Sequence, residues 1–443
     1  MKKIFALLGV FLLSFCFVLT GCGSLGSMPA SDAIIVGNGG FVAQKGEYIY
    51  FANAYTSYSS LSTIDNRKGK VVEYALNRVK VKDIQTKEIE FDEEGYAKNV
   101  ETVVSKVVGF ENSNFYIVGD FLYFASPNIH KNSSNENMFD LISIFRVKLD
   151  GSGLKELYTT QSSTNGDFAI YNLNGKNYLI TVEGNFIYKQ ELTNKGLANK
   201  TQLCDDVVST ILVDEIKFEN DAKLYYTASR SESDTEIGLT GNVLKYVDLV
   251  TGKVEVVSNV IGETITIISR NNGVMFYSKK NLTEDTYYWI KDFSTPDRKV
   301  TNWTGITNFF YMGKDSLNQT MPMVYNYQSK LVMQTISSFE VEVLVDENVT
   351  PIMTDGEYVY YTNSSGFYRI SYKDKVATKI CEVSDYQSTF DFDGRYLYYF
   401  AKTPNNTSDV KYLYRLDIYQ LEQQNSVEPQ LLSKVLEKDK KTD

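Results

Sequence analysis

The chain has 443 residues, of which 43% are hydrophobic and 14% aromatic, so it can bury a large core and is not a disordered protein. Its formal net charge is −10 at pH 7, and an acidic surface argues against nucleic acid as a partner and against direct adhesion to anionic lipid. Length alone would suggest two or three domains, but that reasoning fails for repeat folds, which grow by adding units.

The N-terminus has the layout of a secretory signal peptide. Two lysines precede an apolar run from Ile4 to Val18, and this run is shorter than the about 20 residues that a membrane-spanning helix needs. The tetrapeptide Leu19–Cys22 (LTGC) then resembles the lipobox of bacterial lipoproteins. The resemblance implies that residues 1–21 are a lipoprotein signal peptide and that the Cys22 sulfur carries a diacylglycerol with acyl chains of the palmitate type. The alternative is an ordinary signal peptide followed by a chance cysteine.

A lipid anchor at Cys22 would hold the mature protein at a membrane. Two or three acyl chains anchor a protein stably, at about 0.8 kcal/mol for each buried CH₂ group. No other stretch of the sequence is long and apolar enough to cross a bilayer. We therefore expect a protein on the extracytoplasmic face of the cell membrane, with residues 22–40 as lipidated cysteine and flexible tether.

One pattern recurs along the rest of the chain: a turn that contains Gly or Asn is followed by an aromatic-rich strand. The spacing between copies is roughly 40 to 70 residues, which indicates a repeat architecture. The eight copies are KGEYIYFANAY from Lys45, VGDFLYFASPN from Val118, NGKNYLITVEG from Asn174, NDAKLYYTASR from Asn220, NGVMFYSKKN from Asn272, QTMPMVYNYQ from Gln319, DGEYVYYTNS from Asp355 and DGRYLYYFAK from Asp393. The Gln319 copy is the weakest, because it lacks the marker glycine.

Each unit contains more than the marker strand. After Asp355 the strands YVYY, FYRISY and VATKICEV follow one another with turn residues between them, and STFDFDG opens the next unit. The third strand recurs with the form aromatic-x-x-basic, as in LISIFRVKLD at 141–150 and VKYLYRLDIY at 410–419. The sequence therefore predicts an all-β protein, a β-propeller of eight four-stranded blades, or seven if the Gln319 unit is not a blade. Its expected bounds are 41–435, with a charged, solvated tail at 436–443.

These units resemble the lipoprotein-attached, propeller-like domains of Gram-positive bacteria, which carry the pattern DGxxΦYY…ΦYRΦxxDG. The resemblance covers roughly residues 40–435 and implies the fold. It implies no activity, because that group of extracytoplasmic proteins is largely uncharacterised. Repeated aromatic strands of this kind are expected to pack their wide side chains between neighbouring blades.

Few residues suit catalysis or metal binding. Cys16 leaves with the signal peptide and Cys22 is lipidated, so only Cys204 and Cys381 remain; a disulfide between them is open, but two free buried thiols are favoured. The single histidine, His130, lies in a polar stretch without a nucleophile-elbow sequence. The sequence therefore assigns no catalytic residue, no metal site and no cofactor.

Carboxylates are numerous enough to leave a glycosidase pair open. Those that stand out fall at predicted turns, where capping of the turn is the simpler interpretation. They are Asp205, Asp206, Asp391 and Asp393. The stretch 150–153 (DGSG) resembles the start of a calcium loop, but it does not continue to the bidentate glutamate that an EF-hand needs.

The 33 tyrosines have two interpretations. Packing between blades accounts for most of them. Exposed Tyr and Trp in loops at one end of the blades could instead stack on sugars or contact a protein partner. The predicted ligand contacts are Tyr287, Tyr288 and Trp289, which follow the polar loop at 279–286, together with Trp303.

Three hypotheses for function follow. The first is a recognition or scaffold module that holds an envelope protein or glycan on a rigid ring of blades. The alternative is an extracytoplasmic, carboxylate-dependent glycan hydrolase or lyase, which should bring two or more carboxyl groups with raised pKa together. The third is a structural subunit of an envelope assembly complex, which should expose a large apolar patch at its rim.

Overall fold

A computed structural model of the protein describes residues 35–56, 71–84, 99–108, 114–127, 133–134, 141–160, 168–206, 208–212, 222–229, 242–258, 264–271, 274–280, 285–290, 298–301, 306–312, 322–335, 341–403, 410–422 and 426–435. Most of this part of the chain is β-strand, with two short 3-10 helices at Val81–Ile84 and Ile418–Glu422. Among these residues, no helix is long and apolar enough to cross a membrane.

The described strands form eight antiparallel sheets that follow one another along the chain. Sheet 1 contains β1 (Ile35–Val36), β2 (Val42–Lys45), β3 (Tyr48–Ala52), β5 (Val71–Lys80) and β6 (Glu101–Val108). Sheet 2 contains β7 (Phe115–Val118), β8 (Phe121–Pro127), β9 (Ile142–Lys148) and β10 (Lys155–Thr159). Sheet 3 contains β11 (Phe168–Leu173), β12 (Lys176–Glu183), β13 (Phe186–Thr193) and β14 (Gly196–Gln202), and sheet 4 contains β15 (Val208–Leu212), β16 (Lys223–Ser229), β17 (Asn242–Asp248) and β18 (Val254–Ser258).

The second half of the chain repeats this plan, and its last sheet also takes up a strand from the beginning of the chain. Sheet 5 contains β19 (Thr264–Asn271), β20 (Val274–Lys280), β21 (Asp285–Ile290) and β22 (Arg298–Thr301), and sheet 6 contains β23 (Ile306–Tyr311), β24 (Pro322–Tyr327), β25 (Lys330–Thr335) and β26 (Val341–Val345). Sheet 7 contains β27 (Thr350–Thr354), β28 (Tyr358–Asn363), β29 (Gly366–Ser371) and β30 (Ala377–Cys381). Sheet 8 contains β31 (Tyr386–Phe392), β32 (Tyr396–Ala401), β33 (Val410–Asp417) and β34 (Gln430–Leu431), and β4 (Ala54–Thr56) pairs with β33.

The protein is an all-β β-propeller of mainly four-stranded blades. First strands of neighbouring sheets lie against each other, as β19 does with β23 and β23 with β27, so the first strand of each sheet is the inner one. We count the strands of sheet 1 from β2, to which β1 is added on the side away from β3. With this count, all eight copies of the sequence repeat supply the second strand of a sheet. Even the weak Gln319 copy forms such a strand, β24, in a four-stranded sheet of its own.

The meander gives the ring two distinct ends. We call the end that carries the turns after first strands and after third strands the turn face; it is marked by Gly46 and Gly119 after first strands and by Gly151 after a third strand. We call the opposite end the loop face; it carries the connections after second strands, such as Gly184, and those between sheets. Sheet 7 shows both ends, with Ser364 on the loop face and Val376 on the turn face.

Hydrogen bonding explains the repeated Asp-Gly turn. In sheet 8, one Asp393 carboxylate oxygen accepts the Arg395 and Tyr396 N–H groups at 2.9 and 2.7 Å, and the other accepts the Tyr398 hydroxyl at 2.7 Å. Asp355 does the same in sheet 7, where it accepts two backbone N–H groups and a tyrosine hydroxyl. The aspartate thus fixes the turn and positions a buried tyrosine, which is why the two residues recur together.

The core lies in the seams between sheets, as the aromatic pattern predicts. Phe367 of sheet 7 meets Tyr399 of sheet 8 edge to face, with ring centroids 4.7 Å apart. Phe41 of sheet 1 lies 4.8 Å from Phe400 of sheet 8. Such pairs add about 0.5–1.5 kcal/mol beyond the area that they bury, so the flat blades are held to each other by aromatic rings.

The end of the described chain closes the ring. Asn53 of sheet 1 is fully buried, and its side chain donates to the Lys434 carbonyl at 2.8 Å and accepts the Lys434 N–H at 2.8 Å. Ser433 accepts the Leu413 N–H at 2.7 Å and donates to the Asn53 carbonyl. Val435 is buried beside them. Residues 433–435 therefore complete the seam between sheets 8 and 1.

The start of the described chain also belongs to the fold. Ile35 and Val36 pair with Lys45 and Gln44 on the inner strand of sheet 1. The Asn38 side chain then bonds both backbone groups of Ile117 in sheet 2, at 2.7 and 3.0 Å. The expected flexible tether at 22–40 is therefore wrong over its last six residues, and the propeller includes the chain from Ile35.

Candidate functional site

The predicted ligand contacts fall partly on a strand. The backbone of Tyr287, Tyr288 and Trp289 lies in β21, the third strand of sheet 5, where it pairs with Phe276–Ser278 on β20. The expected placement of these residues in a loop is therefore wrong, although their role as ligand contacts stays a prediction. Trp303, His130 and the predicted lipidation site Cys22 lie outside the described residues.

The candidate carboxylates are placed at turns and seams. Asp393 caps its turn, and Asp391 accepts the Val42 N–H at 3.1 Å, which ties sheet 8 to sheet 1. Asp205 is exposed, and it accepts a hydrogen bond from Gln202 at 3.3 Å. The calcium-like stretch at 150–153 is a turn in which Asp150 accepts the N–H and hydroxyl of Ser152, and these bonds lower the pKa of Asp150.

One polar cluster lies in the seam between sheets 2 and 3, near the loop face. We call it the Glu183 cluster, and it consists of Tyr158, Glu183 and Lys200. The Glu183 side chain, only 2% exposed, pairs with the Lys200 ammonium at 2.8 Å and accepts the Tyr158 hydroxyl at 2.5 Å. Lys200 also donates to the Tyr158 oxygen at 2.6 Å and lies 4.1 Å above the Tyr188 ring. The three groups therefore satisfy one another.

The electrostatics of the Glu183 cluster favour bracing over proton transfer. Burial raises the pKa of Tyr158, and its hydrogen bond to the Glu183 carboxylate raises it further. The phenol therefore stays protonated at neutral pH and is a poor general base. The carboxylate and ammonium cancel each other's charge, as a buried ion pair must to be tolerated.

A second cluster of the same composition lies between sheets 3 and 4. Asp206 accepts the Tyr226 hydroxyl at 2.6 Å and pairs with the Lys245 ammonium. Burial raises the pKa of Tyr226, and the hydrogen bond to Asp206 adds to the rise. Cys204 lies beside this group and is buried, so the pKa of its thiol is also raised. Two successive seams thus hold a carboxylate between a tyrosine and a lysine.

Cys204 and Cys381 are free thiols in different parts of the core, as the favoured interpretation of the sequence predicts. Burial raises the pKa of Cys381 to about 12. A thiol with such a high pKa stays protonated at neutral pH and is therefore a weak nucleophile.

A third arrangement repeats from sheet to sheet. A basic side chain on the third strand donates to a backbone carbonyl at or just after the end of the third strand of the next sheet, and we call these contacts seam braces. The donor and acceptor pairs are Arg78 to Leu149 at 2.8 Å, Arg146 to Thr193 and Asn194 at 3.5 and 3.2 Å, Lys189 to Leu249 at 2.9 Å, and Arg415 to Ile84. The last of these joins sheet 8 to sheet 1.

Each arginine of this kind also stacks on its own sheet. Arg78 lies 4.5 Å above the Tyr48 ring, and Arg415 lies 4.2 Å above the Tyr396 ring. Such stacking is worth about 0.5–2 kcal/mol, depending on how far the pair is removed from water. In β13 and β33 the basic residue of the aromatic-x-x-basic pattern, Lys189 or Arg415, therefore makes a contact that crosses the seam.

Carboxyl groups with shifted pKa values are informative about catalysis. Within the described ranges, every carboxyl whose pKa clearly departs from its ordinary value has a lowered pKa, because it accepts hydrogen bonds or faces a lysine. These groups are Asp150, Asp248, Glu255, Glu382 and Asp385. Over the same residues, no group of three or more His, Cys, Asp or Glu side chains could hold a metal ion.

Sequence reasoning missed the Glu183 cluster and the Asp206 cluster. The partners of Glu183 come from the outer strands of two sheets, so no local spacing connects them. Asp206 stood out as a turn carboxylate, but its partners Tyr226 and Lys245 lie on two strands of the next sheet. A cross-strand Tyr–Lys pair was the one signal that could have indicated this cluster.

Comparison with known proteins gives only distant likenesses. No family model matches the sequence, and no curated protein matches it. Among solved structures, the Dos1 propeller is 9% identical, with 87% of this chain and 94% of that chain covered and a TM-score of 0.49. An oligogalacturonate lyase in complex with manganese is 10% identical, with 67% and 92% covered and a TM-score of 0.41.

A puromycin hydrolase is 9% identical to this chain, with a TM-score of 0.46. The match covers 72% of this chain and 52% of that chain, so this chain spans about half the length of the hydrolase. At such identities and TM-scores, none of the three likenesses carries an argument about activity or partner. The propeller assignment follows from the protein's own eight sheets and their closed seams.

Proposed function

We propose that this protein is a lipid-anchored, extracytoplasmic recognition or scaffold module that holds an envelope protein or glycan. The observation that carries the proposal is the neutralisation of its clustered carboxylates. Glu183 and Asp206 are each held by a tyrosine and a lysine inside a seam. A rigid ring braced in this way suits binding, whereas the glycan hydrolase or lyase alternative needs a carboxyl group with a raised pKa.

The proposed anchor is a lipid on Cys22, and the proposed location is the extracytoplasmic face of the cell membrane. Support comes from the LTGC tetrapeptide after a positively charged and then apolar N-terminus. The test compares the wild-type chain with Cys22→Ala in a bacterial host. The wild type should sediment with membranes, and the variant should not. A variant that still sediments with membranes, and resists washing with salt and carbonate, would contradict the lipid anchor.

We further propose that Tyr287, Tyr288, Trp289 and Trp303 contact the ligand. Support is limited to their composition, since large amphipathic rings are enriched at binding sites. The double variant Tyr288→Ala/Trp289→Ala should bind the captured partner at least tenfold more weakly. Retention of full affinity by a folded double variant would remove these residues from the binding site.

The experiment that tests recognition is affinity capture from a detergent extract of the cell envelope. The soluble fragment should comprise residues 23–443, because a fragment that starts at residue 38 would lose β1. A protein or glycan retained in near-stoichiometric amount supports the proposal. Cleavage of envelope polysaccharide by the same fragment, with nothing retained, would instead favour the hydrolase or lyase.

We also propose that each of the eight sheets is one blade, with seven blades as the alternative number. Support comes from the aromatic pairs and seam braces, which link successive sheets and return from sheet 8 to sheet 1. A crystal structure of the fragment 23–443 would count the blades directly.

A further inference from the structure

We infer that the turn face of the propeller lies against the membrane and that the loop face points away from it. This inference rests on the proposed lipid anchor at Cys22, because an unanchored protein would have no fixed orientation. It assigns the two faces different partners, a lipid surface for the turn face and the recognised molecule for the loop face. Three observations support it: where the chain enters the ring, how far the tether reaches, and which side chains the turn face exposes.

The chain enters the ring at the turn face. Ile35 pairs with Lys45, the last residue of the inner strand β2, which ends at that face. The following residues then run along β7 toward the loop face, because Asn38 bonds Ile117 and the Gly40 carbonyl accepts the Phe115 N–H at 3.0 Å. The connection to Cys22 therefore leaves from the centre of the turn face.

The tether is too short to reach the loop face easily. Residues 23–34 lie between Cys22 and Ile35, and a chain of this length spans about 40 Å when fully extended and about 20 Å as a flexible coil. A path to the loop face around the outside of the ring crosses the sheet from β1 to β6 and then runs along the length of a strand. These distances are about 19 Å for four strand spacings and about 20 Å for a six-residue strand. The inverted orientation would therefore hold the tether almost fully extended, at a large cost in conformational entropy.

The turn face also exposes apolar side chains around the ring. Four of the large hydrophobic residues exposed in the described part of the chain lie in connections after third strands, in sheets 2, 4, 7 and 8. They are Leu154, Val250, Val376 and Tyr419, with exposures of 53%, 50%, 60% and 52%. The other three, Val36, Val256 and Val343, lie on strands.

The chemistry of this face fits shallow contact with lipid headgroups. Its apolar side chains stand singly on separate sheets, so they form no continuous patch of the kind that a protein partner buries. Near Val376 the turn carries both Lys375 and Asp374, so charges of both signs accompany the apolar group. Single aliphatic and aromatic side chains can enter the interfacial zone when an acyl anchor already holds the protein there.

The test measures the distance of each face from the membrane. Full-length protein, lipidated in its bacterial host, is reconstituted into vesicles of phosphatidylethanolamine and phosphatidylglycerol that contain a headgroup-labelled acceptor lipid. A donor dye is attached to Val376→Cys or, as the matched control in the same sheet, to Ser364→Cys on the loop face. Leu154→Cys provides a second turn-face position. Dye attachment to the wild-type protein measures the background labelling, which should be small because Cys204 and Cys381 are buried.

We expect energy transfer to the acceptor lipid to be severalfold more efficient from positions 376 and 154 than from position 364. Equal transfer from both faces, or stronger transfer from position 364, would overturn the inference while leaving the anchor intact. Loss of vesicle association by the wild-type protein would instead overturn the proposed anchor, and the orientation with it. The Cys22→Ala variant, which should show no transfer from any position, separates these outcomes from nonspecific adsorption.

Discussion

Removal of the Lys200 ammonium tests whether the Glu183 cluster braces the seam. The change Lys200→Met keeps an unbranched side chain that is one atom shorter, but it leaves the Glu183 carboxylate without its cation. Breaking a buried ion pair from one side costs about 3–5 kcal/mol when both partners are fully buried. Lys200 is 26% exposed and the Tyr158 hydroxyl still donates to Glu183, so water and the phenol offset part of the loss. We expect the free energy of unfolding to fall by about 2 kcal/mol.

Urea unfolding at pH 7, followed by tryptophan fluorescence and circular dichroism, measures this change. The matched control is Lys253→Met, because Lys253 pairs with Glu255 at 2.5 Å but is 72% exposed. An exposed pair of this kind contributes little to stability, because water screens its charges. The double variant Lys200→Met/Glu183→Gln should recover at least half of the loss, since it removes the uncompensated buried charge.

The reasoning is refuted if Lys200→Met costs no more than Lys253→Met, or if the double variant Lys200→Met/Glu183→Gln recovers none of the loss.

Three further predictions concern the closure of the ring, its stability at low pH and the reactivity of its thiols. A chain that ends at Val435 should unfold at the same temperature as the full chain. A chain that ends at Glu428 should fail to fold, because it lacks the segment that closes sheet 8 on sheet 1. Thermal unfolding of both truncated chains, compared with the full chain, measures the difference. Hydrogen bonds from backbone N–H groups lower the pKa of Asp248 below its ordinary 3.8. The stability that Asp248 contributes is therefore fully present above pH 3.8 and is lost as the pH falls through the lowered pKa. Asp248→Asn should be less stable than the wild type at pH 7, and its free energy of unfolding should fall less steeply with pH below about pH 4. Cys204 and Cys381 should resist a thiol-specific reagent at pH 8 and react fully in urea, because both are buried; rapid reaction of either in the folded protein would contradict its position in the core.

The sequence predicts the repeat correctly because the repeat is local chemistry. An aspartate that accepts N–H groups two and three residues later and a tyrosine hydroxyl five residues later needs no information from elsewhere in the chain. The second strand, its turn and the buried tyrosine can therefore be recognised wherever these residues recur. The Gln319 copy has neither the aspartate nor the glycine of this turn, yet its aromatic residues still form a strand in a sheet of its own.

The clusters in the seams could not be predicted in the same way. Tyr158 meets Glu183 only because sheet 2 faces sheet 3 in the ring, and the repeat does not say which side chains face each other. The start of the domain was missed for a related reason. Gly40 looks like part of a flexible segment, but its carbonyl accepts the N–H of Phe115 on β7, which is distant in sequence. Contacts of this kind become visible only when the ring is closed.

The two ends of the described chain leave from opposite faces, and this bears on how a partner should be sought. Ile35 lies at the turn face, whereas the chain after β34 follows β33 back toward the loop face, where Val435 packs against Ala54 and Tyr412. Fragment 23–443 coupled through its N-terminus should therefore display the loop face, as the proposed anchor would. The same fragment coupled through its C-terminus should turn that face toward the matrix and retain severalfold less of a partner that binds there. Equal retention by both couplings, measured at equal density with long and short spacers, would place the partner on the turn face or on the outer rim instead.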